Sequence, residues 1–274
     1  MKNILVPTDF SKCAQIASDI AMELAKKSNA EIHFLHLLMT PVDWVNLPKE
    51  EEDNFHETKK EINHAKSELS KLKRKAEKIG LVTKEFLVFD KGREEIDLHT
   101  KHHVHDFIVM GSNGSKGYKG VLGSNTQRVI RKSSVPVLVI KGKSEDFEIK
   151  NILFASTFEK VTEKHFKTVT ELANVLNANV QLLNVNTPLN FKETDAAIEN
   201  IEAFLKPYPK GAYPINIINA LNEERGILNF SQKNEIDVIV LATHGKSGLK
   251  KLISPSITES VINNSDIPVI TFHL

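Results

Sequence analysis

Asp106-Phe107-Ile108-Val109-Met110-Gly111 returns later in the chain as Asp237-Val238-Ile239-Val240-Leu241-Ala242. Working outward, Lys2-Asn3-Ile4-Leu5 returns as Lys150-Asn151-Ile152-Leu153, and Ser134-Val135-Pro136-Val137-Leu138 as Asp266-Ile267-Pro268-Val269-Ile270. Matches spread in the same order over so long a stretch describe a duplicated domain, not the short unit of a solenoid. Each copy is then a control for the other. Features common to both belong to the fold, and polar features kept by one copy alone point to a site.

The spacing of apolar residues predicts alternating strands and helices in each copy. Ile4-Leu5-Val6 is a short apolar run ended by Pro7, suited to a buried strand. Ser11 is placed to cap a helix running to Ser28, with Ala14, Ala17, Ala21, Leu24 and Ala25 on one stripe. Further strands are predicted at 32–38, 87–89, 107–110 and 137–140, and helices at 59–79, 94–103 and from Ser124 onward. Gly80 suits the turn past a helix end. Copy two repeats the order, with strands at 152–155, 180–185, 215–218, 238–241 and 269–272. Alternation of this kind implies a parallel sheet covered on both faces. The predicted fold class is therefore α/β, as two tandem open, mainly parallel five-stranded sheets flanked by helices. The domains are expected at 1–143 and 148–274, joined by the short charged linker Gly142 to Glu148.

Composition narrows the function. The 274 residues suffice for two cores, and 41% hydrophobic with 26% charged residues is ordinary for globular chains. A formal net charge of +1 gives no electrostatic case for nucleic acid. No apolar run reaches the roughly 20 residues that span a bilayer. No signal peptide is read at the start. The single Cys13 has no partner for a disulfide or a zinc site, so a packing role and a reducing cytoplasmic setting are expected.

Open parallel sheets bind ligands beyond the carboxyl ends of their strands, where the strand order reverses. Two segments with distinctive chemistry fall there. One is Pro7-Thr8-Asp9-Phe10. The other is Gly111-Ser112-Asn113-Gly114-Ser115-Lys116-Gly117-Tyr118-Lys119-Gly120-Val121-Leu122-Gly123-Ser124, with five glycines ahead of Ser124. Glycine lets backbone approach a ligand closely. Ser124 with Gln127 reads as a capping box, and a helix start there offers N–H groups and a dipole to an anion. Lys116 and Lys119 add positive charge. The loop is not a Walker A motif, since no Gly-Lys-Ser/Thr closes it. It is not a Rossmann fingerprint either, because that motif follows the first strand. The Ser-Gly-Gly-x-Asp-Ser signature of adenylating enzymes is also absent.

The chain resembles a tandem universal stress protein over essentially its whole length. The resemblance rests on Ile-Leu-Val-Pro-Thr-Asp-Phe-Ser at 4–11, Phe34-Leu35-His36-Leu37, Val-Met-Gly-Ser-Asn-Gly at 109–114, Gly-Ser-Asn-Thr at 123–126 and Val-Pro-Val-Leu-Val-Ile at 135–140. It implies a Rossmann-like fold of the adenine nucleotide α-hydrolase kind. It also implies a bound adenine nucleotide (ATP, ADP or AMP), with Mg as an optional companion. Carried over residue by residue, it places Asp9 at the adenine, within the turn of Pro7 and Thr8. Leu37 and Met110 would then lie against base and ribose, and Gly111, Gly114, Gly123 and Ser124 along ribose and phosphate. Asn125 would add a backbone N–H. The family's nucleotide motif has nine residues between its second and third glycines. Here eight lie between Gly114 and Gly123, whereas copy two keeps nine between Gly245 and Pro255. In the family the fifth strands pair across a two-fold interface. This implies an internal pseudo-dimer within one chain, with a further homodimer open.

Copy two has changed the same positions. Thr157 stands for Asp9, Ala155 for Pro7, Ala242 for Gly111 and Pro255 for Gly123. A carboxylate is lost and proline removes an N–H, so this site is expected to be degenerate although Ser256 and Glu259 still read as a capping box. Lys246, Lys250 and Lys251 remain as charges for a simple anion. His99, His102, His103 and His105 cluster, with His99 and His103 at the i, i+4 spacing of helical metal ligands. No complete ligand set is read, and a solvated helix end is expected there. His36 is read as a packed core histidine. Trp44 and Phe55 flank the acidic run at 50–53 as a lid or a partner surface. Three functions stand at this point: a nucleotide-binding stress sensor or regulator whose protein partner is unknown, a slow ATP hydrolase or phosphotransferase, and a ligand-free scaffold. For the second, Asn113, His36 and Ser124 are the nearby candidates to orient water.

Overall fold

The computed structural model describes residues 1–90, 95–112, 122–141, 147–243 and 257–273. Copy one contains β1 (Asn3–Pro7), α1 (Lys12–Ser28), β2 (Glu31–Met39), α2 (His56–Lys78), β3 (Thr83–Asp90), α3 (Glu95–His102), β4 (Phe107–Gly111), α4 (Ser124–Lys132) and β5 (Val137–Ile140). Copy two contains β6 (Asn151–Ala155), α5 (Glu163–Leu176), β7 (Asn179–Asn186), α6 (Thr194–Leu205), β8 (Ile215–Asn219), α7 (Glu223–Lys233), β9 (Val238–Thr243), α8 (Ile257–Asn264) and β10 (Val269–His273). The strands form one sheet in the order β3-β2-β1-β4-β5-β10-β9-β6-β7-β8. Pairing is parallel within each copy. At the centre β5 and β10 run antiparallel, with Leu138 opposite Ile270. The two sheets read from the sequence are thus halves of a single sheet.

The recurring sequence motifs hold the amino-terminal edge of each half. The Asp106 carboxylate accepts the backbone N–H groups of Lys2 and Asn3 at 2.6 and 3.2 Å, and Asp237 accepts those of Lys150 and Asn151, both at 2.8 Å. Asn3 donates to the Val104 carbonyl, and Asn151 to that of Glu235. Donors at the start of a central strand are therefore paired. Left-handed backbone recurs at matched places, at Phe10 and Phe158, Asn29 and Asn177, and Val104 and Glu235.

Both faces of the sheet are covered. Ile4, Val6, Phe34, Ala17 and Ala21 lie in the core on the α1 side, and Phe154 and Phe166 continue it in copy two. Leu5, Leu35, Ile108, Val139, Leu153 and Ile239 form the opposite core. Across the central seam Arg131 clasps Glu259 through two bonds of 2.6 and 2.9 Å, and the Lys141 ammonium donates to the Asn263 carbonyl.

The capping box read at Ser124 and Gln127 does not form as expected. Gly123 is the N-cap of α4, which puts Ser124 inside the helix, and no side chain caps it. The Gly123 N–H returns to the Ser112 carbonyl at 2.8 Å, which holds Gly123 in the cap position while the helix itself begins at Ser124. Gln127 reaches the Leu122 carbonyl at 3.3 Å instead. In copy two the Glu259 carboxylate accepts from Arg131, and Ser256, its expected capping partner, lies outside the described residues. The segment ahead of α2 holds 3-10 turns at Trp44–Asn46 and Glu52–Asn54. Trp44 packs between Phe55 and Phe89, with ring centres 6.3 and 6.4 Å away. That places the aromatic pair against the end of β3.

Candidate functional site

The chain leaves β1 toward β2 and β3 on one side, and β4 and β5 lie on the other. The crevice beyond the carboxyl ends of β1 and β4 is therefore the reversal point at which such sheets take ligands. Pro7, Thr8, Asp9, Met110, Gly111, Gly123, Ser124 and Asn125 are carried to this end of the sheet by β1, β4 and the start of α4, and Leu37 by the neighbouring β2.

The turn after β1 is built from local hydrogen bonds. The Thr8 N–H donates to the Leu35 carbonyl at 2.8 Å, and the Thr8 hydroxyl accepts the Phe10 N–H at 3.0 Å. Asp9 Oδ1 accepts the Ser11 N–H at 3.1 Å, and Ser11 in turn caps α1. Phe10 takes φ 62°, a left-handed conformation that L residues adopt rarely. Copy two builds the same turn: Ser156 accepts the Phe158 N–H at 3.0 Å, and Phe158 has φ 57°. The shape of the turn therefore belongs to the fold. What differs is the side chain it presents, Asp9 in one copy and Thr157 in the other.

His36 supports that turn. Its Nδ1–H donates to the Thr8 carbonyl at 2.7 Å, and its ring stacks on Phe10 at 4.5 Å. Burial holds its pKa below the ordinary value, against the opposing pull of the Thr8 carbonyl. In copy two Asn184 makes the equivalent bond to the Ser156 carbonyl at 3.3 Å. A neutral donor is all the position requires, so His36 positions the turn.

Gly111 has a different reason from the one its sequence context suggests. A Cβ there would lie 2.9 Å from Cys13 Sγ, 3.1 Å from the Cys13 carbonyl carbon and 3.2 Å from the Ala14 nitrogen. The missing side chain lets β4 close on the first turn of α1. Its carbonyl accepts the Thr126 hydroxyl at 3.0 Å, tying β4 to α4. Gly111→Ala is expected to cost about 1–3 kcal/mol by overpacking, read as a lower melting temperature. An unchanged melting temperature would show that α1 yields without cost.

The Gly loop leaves after Ser112 and is back at Leu122. The Gly123 N–H to Ser112 carbonyl bond closes its base, and the Leu122 N–H donates to Asn263 Oδ1 of copy two at 2.9 Å. Gly114, Lys116 and Lys119 lie outside the described residues, as do Gly245 and Pro255. Ser124 and Asn125 are exposed on the first turn of α4, where the dipole favours an anion. Met110 is 5% exposed and sits in the core with Leu35 and Val139, while Leu37 is half-buried against the same cluster. Cys13 donates its thiol to the Ile140 carbonyl at 3.3 Å, a packing contact. No helix among the described residues is long and apolar enough to cross a membrane.

Comparison with known proteins points one way. The sequence profile described as the universal stress protein family matches residues 1–141 and 217–273. Universal stress protein Slr1230 of Synechocystis sp. is 26% identical over 294 aligned positions, spanning 99% of this chain and 100% of that protein. Universal stress protein MJ0577 of Methanocaldococcus jannaschii is 34% identical over 158 positions, covering 52% of this chain and 96% of the relative. The crystal structure of a universal stress protein from Archaeoglobus fulgidus matches with a TM-score of 0.75 at 19% identity, over 99% of this chain and 98% of that one.

Proposed function

Because the chain belongs to the universal stress protein family, we propose that its amino-terminal copy binds an adenine nucleotide and reports the bound state to a regulatory partner. The observation that carries this reading is a difference between otherwise matching turns. Both copies hold the same left-handed turn after their first strand, but only copy one places a carboxylate on it, Asp9. A carboxylate suits the exocyclic amine of adenine as an acceptor. The uncapped start of α4 supplies N–H donors for phosphate. Thr8, with its N–H committed to Leu35, and Pro7, paired with Leu35 in the sheet, hold Asp9 in place. Leu37, Met110, Gly111, Gly114, Gly123, Ser124 and Asn125 complete the proposed site. Copy two serves the architecture.

The test is direct. Protein purified without added nucleotide is denatured and the supernatant assayed for released adenine nucleotide. Labelled ATP and AMP are then titrated into wild type and Asp9→Thr, which installs the residue of copy two. Loss of a hydrogen bond to a charged group predicts roughly tenfold weaker binding with folding retained. Equal affinity in both proteins, or no binding in wild type, overturns the reading. Turnover of the label in wild type would move the assignment from sensor to hydrolase.

A further inference from the structure

Beyond its architectural part, copy two leaves open a place that copy one covers from its own chain. Thr40-Pro41-Val42-Asp43-Trp44 after β2 returns as Thr187-Pro188-Leu189-Asn190-Phe191 after β7. Trp44 and Phe191 are therefore matched aromatics on matched turns, but their surroundings differ. Trp44 is half-buried, packed between Phe55 and Phe89. Phe55 belongs to the stretch ahead of α2 and follows the acidic run Glu50-Glu51-Glu52-Asp53. Copy two lacks that stretch and enters α6 at Thr194. It lacks the second ring as well. Phe89 pairs with Leu38 at the end of β3, and the equivalent pair in copy two is Asn219 with Asn186. Phe191 is left 69% exposed, with Leu221 at 70% and Leu189 at 95%.

Phe191 and Leu221 line a cleft of about 580 Å³ beyond the carboxyl ends of β7 and β8, together with Pro188, Asn219 and Arg225. Binding clefts have this size. The turn that carries Phe191 is pinned on both sides. Buried Asn186 donates its Nδ2 to the Lys192 carbonyl at 3.0 Å and accepts the Lys192 N–H at 2.8 Å. The Thr187 hydroxyl and the Asn190 amide donate to Glu223 Oε1 at 3.4 and 3.0 Å. The ring is thus displayed from a fixed frame, which lowers the ordering cost of binding. Arg225 is the one charged side chain lining the cleft among the described residues. Its neighbours turn their carboxylates elsewhere, Glu223 to Thr187 and Asn190 and Glu224 to Asn264. Its guanidinium has no carboxylate partner among the described residues. Thr100 bonds the Ile96 carbonyl as Ser231 bonds that of Ile227. In that register Arg225 stands where copy one has Glu94, as Phe230 and Ile236 stand where it has His99 and His105. The charge is reversed in the copy that has no aromatic cover.

We propose that this cleft docks a partner protein through a segment that carries an aromatic side chain beside Asp or Glu. The partner's ring packs on Phe191 and Leu221 as Phe55 packs on Trp44, and its carboxylate meets Arg225. Copy one supplies the template, because its own cover is such a segment, with Asp53 shortly before Phe55. Grouped apolar side chains at a surface mark an interaction site. Aromatic rings and arginine are the residues that dominate binding at protein interfaces. A guanidinium takes a carboxylate through two parallel bonds, so charge complementarity selects an acidic segment. Leu189 lies outside the cleft lining, and covering it takes a length of chain, not a compact molecule. Docking here is independent of the nucleotide proposed for copy one, so the two proposals fail by separate tests.

The experiment uses the full chain without nucleotide. A library of random peptides is selected on the immobilised protein, with the Phe191→Ser variant as the subtracting surface. Enriched sequences are expected to hold an aromatic residue with Asp or Glu close by. One such peptide, labelled with fluorescein, should bind wild type saturably. Phe191→Ser and Arg225→Glu should each bind it about tenfold more weakly or worse. Val175→Ser, which alters an exposed apolar residue of α5, should bind it like wild type. Melting curves establish that each variant folds. No enrichment over the Phe191→Ser surface, enriched sequences without an aromatic or an acidic residue, or wild-type affinity in either folded cleft variant overturns the proposal. Phenylacetate that displaces the peptide as effectively as unlabelled peptide does would assign the cleft to a small aromatic acid and also overturn it. Self-association of the chain that Phe191→Ser abolishes would do the same, by assigning the cleft to a second copy.

Discussion

Taken from pH 7 to pH 4.5, the protein is expected to lose several kcal/mol of its folding stability. Burial holds His99 and His165 at about 4 and His105 at about 3, against an ordinary histidine value near 6.5. As pH falls through 6.5 the unfolded chain takes up protons that the folded chain refuses. Stability is therefore complete above 6.5 and declines through the window down to about 4. Two pH units below 6.5, one such histidine alone accounts for about 2.7 kcal/mol. The contributions do not simply add, because His99, His103, His105 and His33 face one another, with Lys84 and Glu31 beside His33 and Lys164 beside His165. Urea unfolding at pH 7, 5.5 and 4.5 measures the slope. The double variant His99→Phe and His105→Ile, which copies the second half, should make it shallower, leaving the part due to His165, and raise stability at every pH. A midpoint that stays constant in wild type from pH 7 to 4.5 would show these rings to be solvated.

This pH window was not visible in the sequence, and the reason is specific. His99, His103 and His105 read as a polar helix end, and nothing in their spacing says that His105 points inward beside His33, a residue far away in the chain. Burial of a polar side chain is a tertiary fact. The strand edges are the opposite case. Asn3 with Asp106 and Asn151 with Asp237 were legible because the duplication kept them, and the structure shows each pair closing the edge of its own half of the sheet. The α/β alternation was legible for the same reason, since apolar runs and capping residues are local. Gly111 lies between these cases. Its place in the Gly loop was legible, but the packing reason was not: the space its missing side chain leaves is filled by Cys13 and Ala14. The helix α4 begins at Ser124 as its sequence reads, but the cap falls on Gly123, whose backbone bond to Ser112 is a long-range contact that the local Ser124-Gln127 pattern does not reveal. Merging of two sheets into one rests on β5 and β10, whose apolar sequences asked for cover at a sheet edge without saying what would supply it.

Phe166→Ala should be the most costly single truncation in copy two, and its effect should reach copy one. Phe166 is fully buried, with ring centres of Phe154, Tyr208, Tyr213 and Phe204 between 5.0 and 5.3 Å away. The matching position in copy one is Ser18, whose hydroxyl bonds the Ala14 carbonyl within a helix of small residues. Copy two therefore fills with aromatic rings the layer that copy one lines with the small residues Ala14, Ala17, Ser18 and Ala21 of α1. Removing a phenyl ring from such a centre costs about 3–5 kcal/mol and should lower the melting temperature by roughly 10 °C. Coupling between the halves runs through the β5–β10 pairing, the Arg131–Glu259 clasp and the Asn263 bond to the Leu122 N–H at the base of the Gly loop. Trp44 is the single tryptophan and lies in copy one. Its fluorescence reports that half, while far-ultraviolet circular dichroism reports both. In Phe166→Ala the two transitions should move down together, and nucleotide affinity should fall as copy two melts. A Trp44 transition left at the wild-type temperature, with an earlier loss of circular dichroism, would show that the halves unfold independently and that the proposed nucleotide site owes nothing to its neighbour.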